Sequence, residues 1–184
     1  FGAEMGRMML ASNALVLIGV GVLVAAWLAM APFVGASPGA ARGARVSSPE
    51  MLRTFIAWVV PLIATAPLFT QDIYSYLANG SIVRQGLDPY SSGPVELLGV
   101  EHHLARSVPF IWAHSPSPYG PVALGTAEVI SRITGDSIFW GVLAHRAVSV
   151  AGILAAAWAV LALAKRCGVT GPAALWLGIL CLLY

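Results

Sequence analysis

Long apolar runs dominate this sequence of 184 residues and limit what it can fold into. Residues 8–34 are almost continuously apolar, and so are residues 138–164. A helix rises about 1.5 Å per residue, so each run is long enough to cross a hydrocarbon core of about 30 Å. A shorter run, 51–69, contains Pro61 and Pro67, which membrane helices tolerate when neighbouring helices bond the freed carbonyls. The sequence therefore predicts an all-α integral membrane protein.

Composition agrees with this prediction. Hydrophobic residues make up 58% of the chain and charged residues 10%, whereas a typical soluble domain is about 25% charged. The formal net charge is only +2, and no face gathers the Lys and Arg that bind nucleic acid. Cys167 and Cys181 lack the spacing of a zinc site and are interpreted as small buried hydrophobes. We expect membrane lipids as partners, and no nucleic acid.

Basic residues predict which side of the membrane each loop occupies. Arg42 and Arg45 lie in the connection after the first apolar run, and Lys165 and Arg166 follow the run 138–164. Cytoplasmic loops carry an excess of Lys and Arg, so both pairs are expected in the cytoplasm. The polar segment between them then faces away from the cytoplasm. The predicted location is the plasma membrane, with several crossings.

The spans define the expected organisation. We interpret residues 1–184 as one membrane unit, and its predicted spans are about 8–34, 51–69, 138–164 and an incomplete 172–184. The last run stops before it has crossed a bilayer. Phe1 is not an initiator residue. The chain is therefore expected to be the N-terminal part of a longer protein, whose remainder packs against these helices.

The segment 70–137 differs in character from the rest of the chain. It contains most of the acidic residues and many glycines, prolines and serines. Its aromatic residues are too numerous for a disordered linker, and long structured loops are usually functional. The apolar run 121–133 is short for a crossing and carries Glu128 and Arg132. It is predicted to be a juxtamembrane helix at the interface.

Asp72 is the first candidate for chemistry, because it follows the second apolar run directly. A carboxylate at the outer water–lipid boundary is well placed to deprotonate a hydroxyl acceptor when the sugar donor has a lipid tail. On residue type and position alone, capping a helix that runs to Arg84 is the more common role; the two roles are compatible. Helical spacing puts Tyr76 and Asn79 on the same side as Asp72, although interfacial tyrosines also serve as membrane anchors.

Two stretches of the polar segment place a tyrosine directly after a proline: 87–90 (LDPY) and 115–121 (SPSPYGP). Proline fixes its own φ and pushes the preceding residue towards extended geometry, so the simplest prediction for both is a rigid turn. The histidines of the segment do not have the spacing of zinc ligands, and they are His102, His103 and His114. No metal site is predicted.

His145 and Arg146 lie inside an otherwise apolar run, about two turns from its outer end. A charge within a membrane span is costly and is commonly retained for function. The arginine fork suits a lipid-linked phosphate, which it would bind through charge-assisted hydrogen bonds. Snorkelling, or pairing with an acid from another helix, explains Arg146 as well.

Three motifs in combination resemble a known family: 71–80 (QDIYSYLANG), 85–90 (QGLDPY) and 117–121 (SPYGP). They are similar to the polyprenol-phosphomannose-dependent α-1,6-mannosyltransferases of actinobacterial lipomannan synthesis, which belong to the GT-C superfamily of membrane glycosyltransferases. The resemblance covers about residues 67–164. It implies GT-C-like transmembrane helices with an extracytoplasmic loop that contains juxtamembrane helices.

The resemblance also implies an activity. Mannose would pass, with inversion, from polyprenyl-phosphate mannose to an α-1,6-mannan acceptor anchored to lipid, without cofactor or metal. Asp72 would be the catalytic base, and Arg146 with His145 would bind the donor phosphate. The candidate substrate-binding residues are Tyr74, Tyr76, Asn79, Asp88, Tyr90 and Tyr119. Because the family's enzymes have many more spans, part of the donor groove and most of the acceptor site would lie outside this chain.

Other functions fit part of the same pattern. The closest alternative is another GT-C enzyme, an arabinosyltransferase or a protein O-mannosyltransferase, because the loop does not decide among sugars. A transporter would concentrate its ionisable groups near the midplane of the membrane, whereas here they gather in one loop. A structural membrane subunit would leave Asp72 and Arg146 without a shared ligand.

Overall fold

A computed structural model describes residues 2–36, 46–65 and 71–179. Over these residues the chain is helical and contains no strand, as predicted. The helices in chain order are α1 (Gly2–Met30), α2 (Ser48–Ala64), α3 (Asp72–Arg84), α4 (Pro94–Leu98), α5 (His103–Ser107), α6 (Phe110–Ala113), α7 (Pro121–Thr134), α8 (Ile138–Arg166) and α9 (Pro172–Ile179). Arg42, Arg45, Cys181 and the last part of the predicted span 51–69 lie outside the described residues.

Two of the described helices are long and apolar enough to cross a membrane: Leu10–Met30 within α1, and α8. Their side chains pack little against the rest of the chain. Leu10 and Leu15, for example, are 73% and 70% exposed. Large apolar side chains exposed in a continuous row are typical of a surface that faces lipid.

The chain divides into two compact units, one formed by residues 1–69 and 150–184 and the other by residues 70–149. In the first unit, the rings of Trp27 and Trp176 stack with their centroids 4.2 Å apart. Each indole N–H donates to the backbone carbonyl of the other tryptophan at 2.8 Å. These two reciprocal hydrogen bonds join α1 to α9.

In the second unit, α3 packs closely against α7. The closest approach is at Gly80, where an added Cβ would stand 2.3 Å from the carbonyl oxygen of Ala127. Only glycine permits this contact between the two backbones. On its other side α3 shares an apolar core with α5 and α6, in which Leu77 packs with Leu104 and Ala113.

A buried polar cluster, here called the Asp136 clasp, fastens the C-terminal end of α3 to the turn after α7. Asp136 has a φ of 61°, a left-handed conformation that Asp tolerates better than most residues. Its carboxylate accepts hydrogen bonds from the hydroxyls of Ser81 and Ser131 and from the guanidinium of Arg84. His103 Nε2 donates to its backbone carbonyl at 2.9 Å. The clasp fixes α3, and with it the residues at the other end of that helix.

Candidate functional site

Asp72 is the first residue of α3, and Gln71 occupies the N-cap position. The alternative interpretation of Asp72 as the N-cap is therefore wrong: the helix begins one residue earlier than that role requires. The Asp72 side chain is half-buried, and its Oδ1 accepts a hydrogen bond from Trp112 Nε1 at 2.9 Å. A carboxylate in the first turn is also stabilised by the helix dipole. Asp72 is thus positioned by an indole donor while part of it stays accessible.

Trp112 was not among the predicted site residues. It lies 40 positions after Asp72, on the short helix α6, so no helical spacing connects the two. The sequence offers one indication that Trp112 forms a specific contact. A tryptophan that is partly buried usually finds an acceptor for its N–H, but the sequence does not say which acceptor.

Tyr76 lies one turn after Asp72 and contacts two other elements. Its ring meets Tyr119 edge-on, with centroids 4.8 Å apart, and lies nearly parallel to the His145 ring at 6.0 Å. We call these three side chains the Tyr76 cluster. Burial, the neighbouring Tyr76 and the charge of Asp72 together raise the pKa of the Tyr119 hydroxyl to about 12. Tyr119 therefore stays neutral at physiological pH, within electrostatic reach of Asp72.

The two Pro–Tyr stretches are joined to each other. The Tyr90 hydroxyl donates to the backbone carbonyl of Tyr119 at 2.8 Å, and the Ser117 N–H donates to the carbonyl of Pro89 at 2.8 Å. Asp88 Oδ1 accepts from the Tyr90 N–H at 2.9 Å, which closes a local turn. Asp88 and Tyr90 hold the segment that carries Tyr119, and this agrees with the prediction of rigid turns. Their predicted contact with substrate stays a prediction.

His145 and Arg146 are adjacent residues of α8. His145 Nδ1 donates to the carbonyl of Gly141 at 2.9 Å, so Nε2 is a hydrogen-bond acceptor when the ring is neutral. Arg146 is half-buried. Consecutive helix positions are rotated by about 100°, so Arg146 does not share the face on which His145 meets Tyr76. The phosphate-binding role of both residues stays a prediction.

A cavity of about 250 Å³ adjoins the Tyr76 cluster. The residues that line it are Tyr76, Asn79, Tyr119, Ala123, Leu124, Thr126, Ala127, His145 and Val148. Asn79 is 3% exposed, and its Nδ2 donates to the Ser75 carbonyl at 2.8 Å. Within the described part of the chain, nothing donates to its Oδ1. An unpaired buried acceptor costs roughly 1–3 kcal/mol.

The remaining candidates lie elsewhere in the same unit. Tyr74 packs against the apolar core beside Leu77, away from the Tyr76 cluster. His102 and His103 stack on each other with centroids 4.7 Å apart, and His114 pairs with Glu96. No group of three or more His, Cys, Asp or Glu residues in the described ranges could hold a metal ion. The structure thus brings Tyr76, Asn79, Tyr119 and His145 around one cavity, and Asp72 lies one turn before Tyr76 at the start of α3.

Comparison with known proteins places the sequence in a family. The sequence profile described as "Alpha-(1->6)-mannopyranosyltransferase, N-terminal domain" matches residues 2–184. The chain is 59% identical, over 97% of its length, to alpha-(1->6)-mannopyranosyltransferase B of Corynebacterium glutamicum, and it covers 30% of that protein. It is 35% identical, over 95% of its length, to alpha-(1->6)-mannopyranosyltransferase A of Mycobacterium tuberculosis, and it covers 32% of that protein.

The match therefore extends over nearly the whole chain, although the chain spans only about a third of the length of these relatives. No solved structure matches it. The resemblance carried by the three motifs in residues 71–121 agrees with both comparisons. The chain belongs to the alpha-(1->6)-mannopyranosyltransferase family and corresponds to its N-terminal domain.

Proposed function

We propose that this chain is part of a membrane enzyme that moves mannose from polyprenyl-phosphate mannose to an α-1,6-mannan acceptor in the synthesis of cell-envelope lipoglycan. The names of the relatives support the transfer of mannose. Within this chain, the observation that carries the proposal is the position of Asp72. Its half-buried carboxylate begins α3, accepts a hydrogen bond from Trp112 and stands near the Tyr76 cluster. The other spans come from the rest of the longer protein.

In the proposed reaction Asp72 is the general base. A hydroxyl oxygen of the acceptor mannose attacks the anomeric carbon of the donor, and its proton passes to the Asp72 carboxylate. The bond between the anomeric carbon and the phosphate oxygen breaks, and polyprenyl phosphate leaves with the electron pair. A single displacement inverts the anomeric centre. A positioned base of this kind contributes roughly 10²- to 10⁴-fold in rate.

The leaving phosphate needs a positive partner, because negative charge develops on it as the bond breaks. We assign this role to Arg146, whose planar guanidinium can donate two parallel hydrogen bonds to phosphate oxygens. His145 supports the phosphate only when its ring is protonated. When the ring is neutral, the bond from Nδ1 to Gly141 leaves an acceptor at Nε2.

The polyprenyl carrier fits a site at the end of an apolar helix, since its tail stays in the bilayer while its sugar reaches water. Lys165 and Arg166, in the last turn of α8, favour a cytoplasmic end for that helix and an extracytoplasmic site. An arabinosyl or protein O-mannosyl transfer is the alternative within GT-C enzymes. Relatives that are all named mannopyranosyltransferases favour mannan synthesis, and an enzyme over a transporter or a structural subunit.

The complete enzyme, purified with all its spans, tests the proposal. It should transfer mannose from synthetic polyprenyl-phosphate mannose to a short α-1,6-mannan, and proton NMR of the product should show an inverted anomeric centre. Arg146→Ala should reduce kcat/KM by roughly 10- to 100-fold, the loss expected when a hydrogen bond to a charged group is removed. Arg146→Lys should not restore it, because an ammonium lacks the fork. Failure to transfer mannose, or retention at the anomeric centre, refutes the proposal.

The side of the membrane is tested separately. A cysteine introduced at Ser92, in the loop between α3 and α4, should react with a membrane-impermeant thiol reagent added outside intact cells. Cys167 is exposed, so the prediction that it is buried is wrong, and it is first replaced by alanine. A matched cysteine at Val169, beyond the end of α8, should then react only after the cells are opened. Labelling of the Ser92 position from the cytoplasm alone contradicts the proposed topology.

A further inference from the structure

We propose that the Phe110 and Ile111 side chains of α6 insert into the lipid bilayer and bring the segment that carries Trp112 to the membrane surface. Phe110 is 87% exposed and Ile111 is 68% exposed. Two large apolar side chains that are adjacent and exposed mark a surface that contacts a partner. The inference does not depend on mannose transfer. It requires only that α8 crosses a membrane.

The two halves of α6 have different surroundings. Its second half, Trp112 and Ala113, packs in the apolar core of the second unit with Leu77 of α3. Its first half, Phe110 and Ile111, stays exposed, although the Phe110 ring lies edge-on to the nearby His114 ring with centroids 6.1 Å apart. Because the second half is fixed in the core, the direction in which Phe110 and Ile111 project is fixed as well.

The first turns of α8 place α6 beside the start of a membrane span. The core that contains Trp112 also receives Ile138 and Val142 of α8, and α8 is long and apolar enough to cross a membrane. Phe139 and Trp140, in the first turn of the same helix, are exposed. Aromatic residues are enriched where a span meets the membrane–water interface. The core thus holds α6 at the end of α8 where this interface is expected.

A second link reaches α6 from another part of the chain. Asp72 follows the predicted span 51–69 directly in the sequence, and its Oδ1 accepts a hydrogen bond from Trp112 Nε1 at 2.9 Å. α6 is therefore tied to the residue at which the chain leaves a second apolar run. Through this bond, insertion of Phe110 and Ile111 would fix the depth at which the Asp72 carboxylate stands relative to the lipid.

The size and the surroundings of this apolar tip favour lipid over a protein partner. A stable protein interface buries about 800 Å² on each partner, whereas a buried aromatic side chain contributes about 150–250 Å². Phe110 and Ile111 together fall well short of such an interface. The same segment carries exposed ionisable side chains, namely Arg106 and the pair formed by Glu96 and His114. Charged groups are depleted at the centre of protein interfaces but suit the headgroup region around an apolar tip.

The test uses the full-length enzyme without its native cysteines, reconstituted in vesicles of phosphatidylcholine and phosphatidylglycerol. A nitroxide spin label is attached in turn to Phe110→Cys, Ile111→Cys and Glu101→Cys. All three positions are exposed, so each labelled protein should keep the thermal midpoint of the unlabelled enzyme. Glu101 lies in the turn before α5 and is the matched control, because its charge keeps it in water.

Electron paramagnetic resonance measures how often each label collides with molecular oxygen, which concentrates in lipid, and with a nickel chelate, which stays in water. The ratio of oxygen to nickel collisions should be several-fold higher at Phe110 and Ile111 than at Glu101. Equal ratios at the three positions would place Phe110 and Ile111 in water and overturn the inference. Protection of both labels from both reagents would show that another protein segment covers them, and it would overturn the inference as well.

This measurement needs no substrate, so it separates the inference from the proposed function. A high ratio at Phe110 and Ile111 in an enzyme that transfers no mannose supports the membrane contact and refutes the reaction. An enzyme that transfers mannose while both labels lie in water supports the reaction and refutes the membrane contact.

Discussion

The two ends of α3 each depend on an aspartate, and the two aspartates differ in what surrounds them. Asp136 at the C-terminal end is 8% exposed and accepts hydrogen bonds from two hydroxyls and a guanidinium. Asp72 at the N-terminal end is half-buried and accepts from Trp112. A buried carboxylate surrounded by donors stabilises a fold. A partly accessible carboxylate beside neutral aromatic side chains can receive a proton from a substrate.

The largest effect expected is that of Asp72→Asn on turnover. The asparagine carbonyl still accepts from Trp112 Nε1, and Gln71 still occupies the N-cap, but the proton acceptor is gone. We expect a loss of roughly 10² to 10⁴ in rate with synthetic polyprenyl-phosphate mannose, and a thermal midpoint close to that of wild type. A fully active Asp72→Asn enzyme would contradict the assignment of Asp72 as the general base.

The matching change at the other end, Asp136→Asn, should affect stability instead of rate. Asparagine is as large as aspartate and tolerates the left-handed conformation of this position, so the change mainly removes the charge opposite Arg84. Arg84 is about one-third exposed, and solvent screens part of the loss. We expect the free energy of unfolding to fall by about 1–2 kcal/mol, measured by thermal unfolding, while kcat of the folded enzyme is retained.

The two ends of α3 do not differ as proposed if Asp136→Asn lowers the rate and leaves stability unchanged. A lower kcat for Asp136→Asn with an unchanged thermal midpoint would mean that the clasp acts on the reaction. The matched substitutions at Asp72 and Asp136 differ only in position. Side-chain size and the loss of one negative charge are therefore controlled.

The sequence predicts the N-terminal end of α3 better than the C-terminal end. The apolar runs predict α1, α2, α7, α8 and α9, but the short helices α4, α5 and α6 were not predicted one by one. Helical spacing links Asp72 to Tyr76 and Asn79. These arguments do not predict the contact of Trp112 with Asp72 or the contacts of Asp136 with Ser81 and Arg84, since each joins residues 40 or more positions apart. Such contacts depend on how the helices pack, which hydropathy and local motifs do not specify.

For Gly80 and the two Pro–Tyr stretches as well, the sequence predicts the local conformation but not the residues that they contact. The sequence identifies a glycine in a helix and two rigid turns. It does not identify Ala127 as the backbone that meets Gly80, or Tyr119 as the residue whose carbonyl accepts from Tyr90. The structure adds partners to residues whose local conformations were already predicted.

A smaller effect is expected from Tyr90→Phe, which tests whether the catalytic end of α3 needs the tether to Tyr119. The lost hydrogen bond is exposed, so its contribution should be near the lower end of about 0.5–1.5 kcal/mol. We expect kcat/KM to fall by roughly two- to five-fold and the thermal midpoint to change little. An unchanged kcat/KM would show that the turn holds Tyr119 without this hydroxyl.

The smallest effect expected is a pH-dependent one, at the pair formed by Glu96 of α4 and His114 at the end of α6. Its two side chains are exposed, and the bond links α4 to the helix that carries Trp112. The hydrogen bond from His114 lowers the pKa of the Glu96 carboxyl. A carboxyl whose pKa is lower in the folded state stabilises the fold above its unfolded pKa, and the stabilisation is lost as the pH falls through the folded pKa.

Glu96→Gln should therefore lower the thermal midpoint slightly near pH 6, and the difference from wild type should disappear as the pH falls below about 4, where an ordinary Glu is protonated. Glu101→Gln removes another exposed carboxylate of the same segment and serves as the control for the loss of one negative charge. Because the pair is exposed, the effect should also shrink at high salt. A difference between Glu96→Gln and wild type that persists at pH 3 would show that the carboxylate charge is not its source, and that the link between α4 and α6 depends on packing alone.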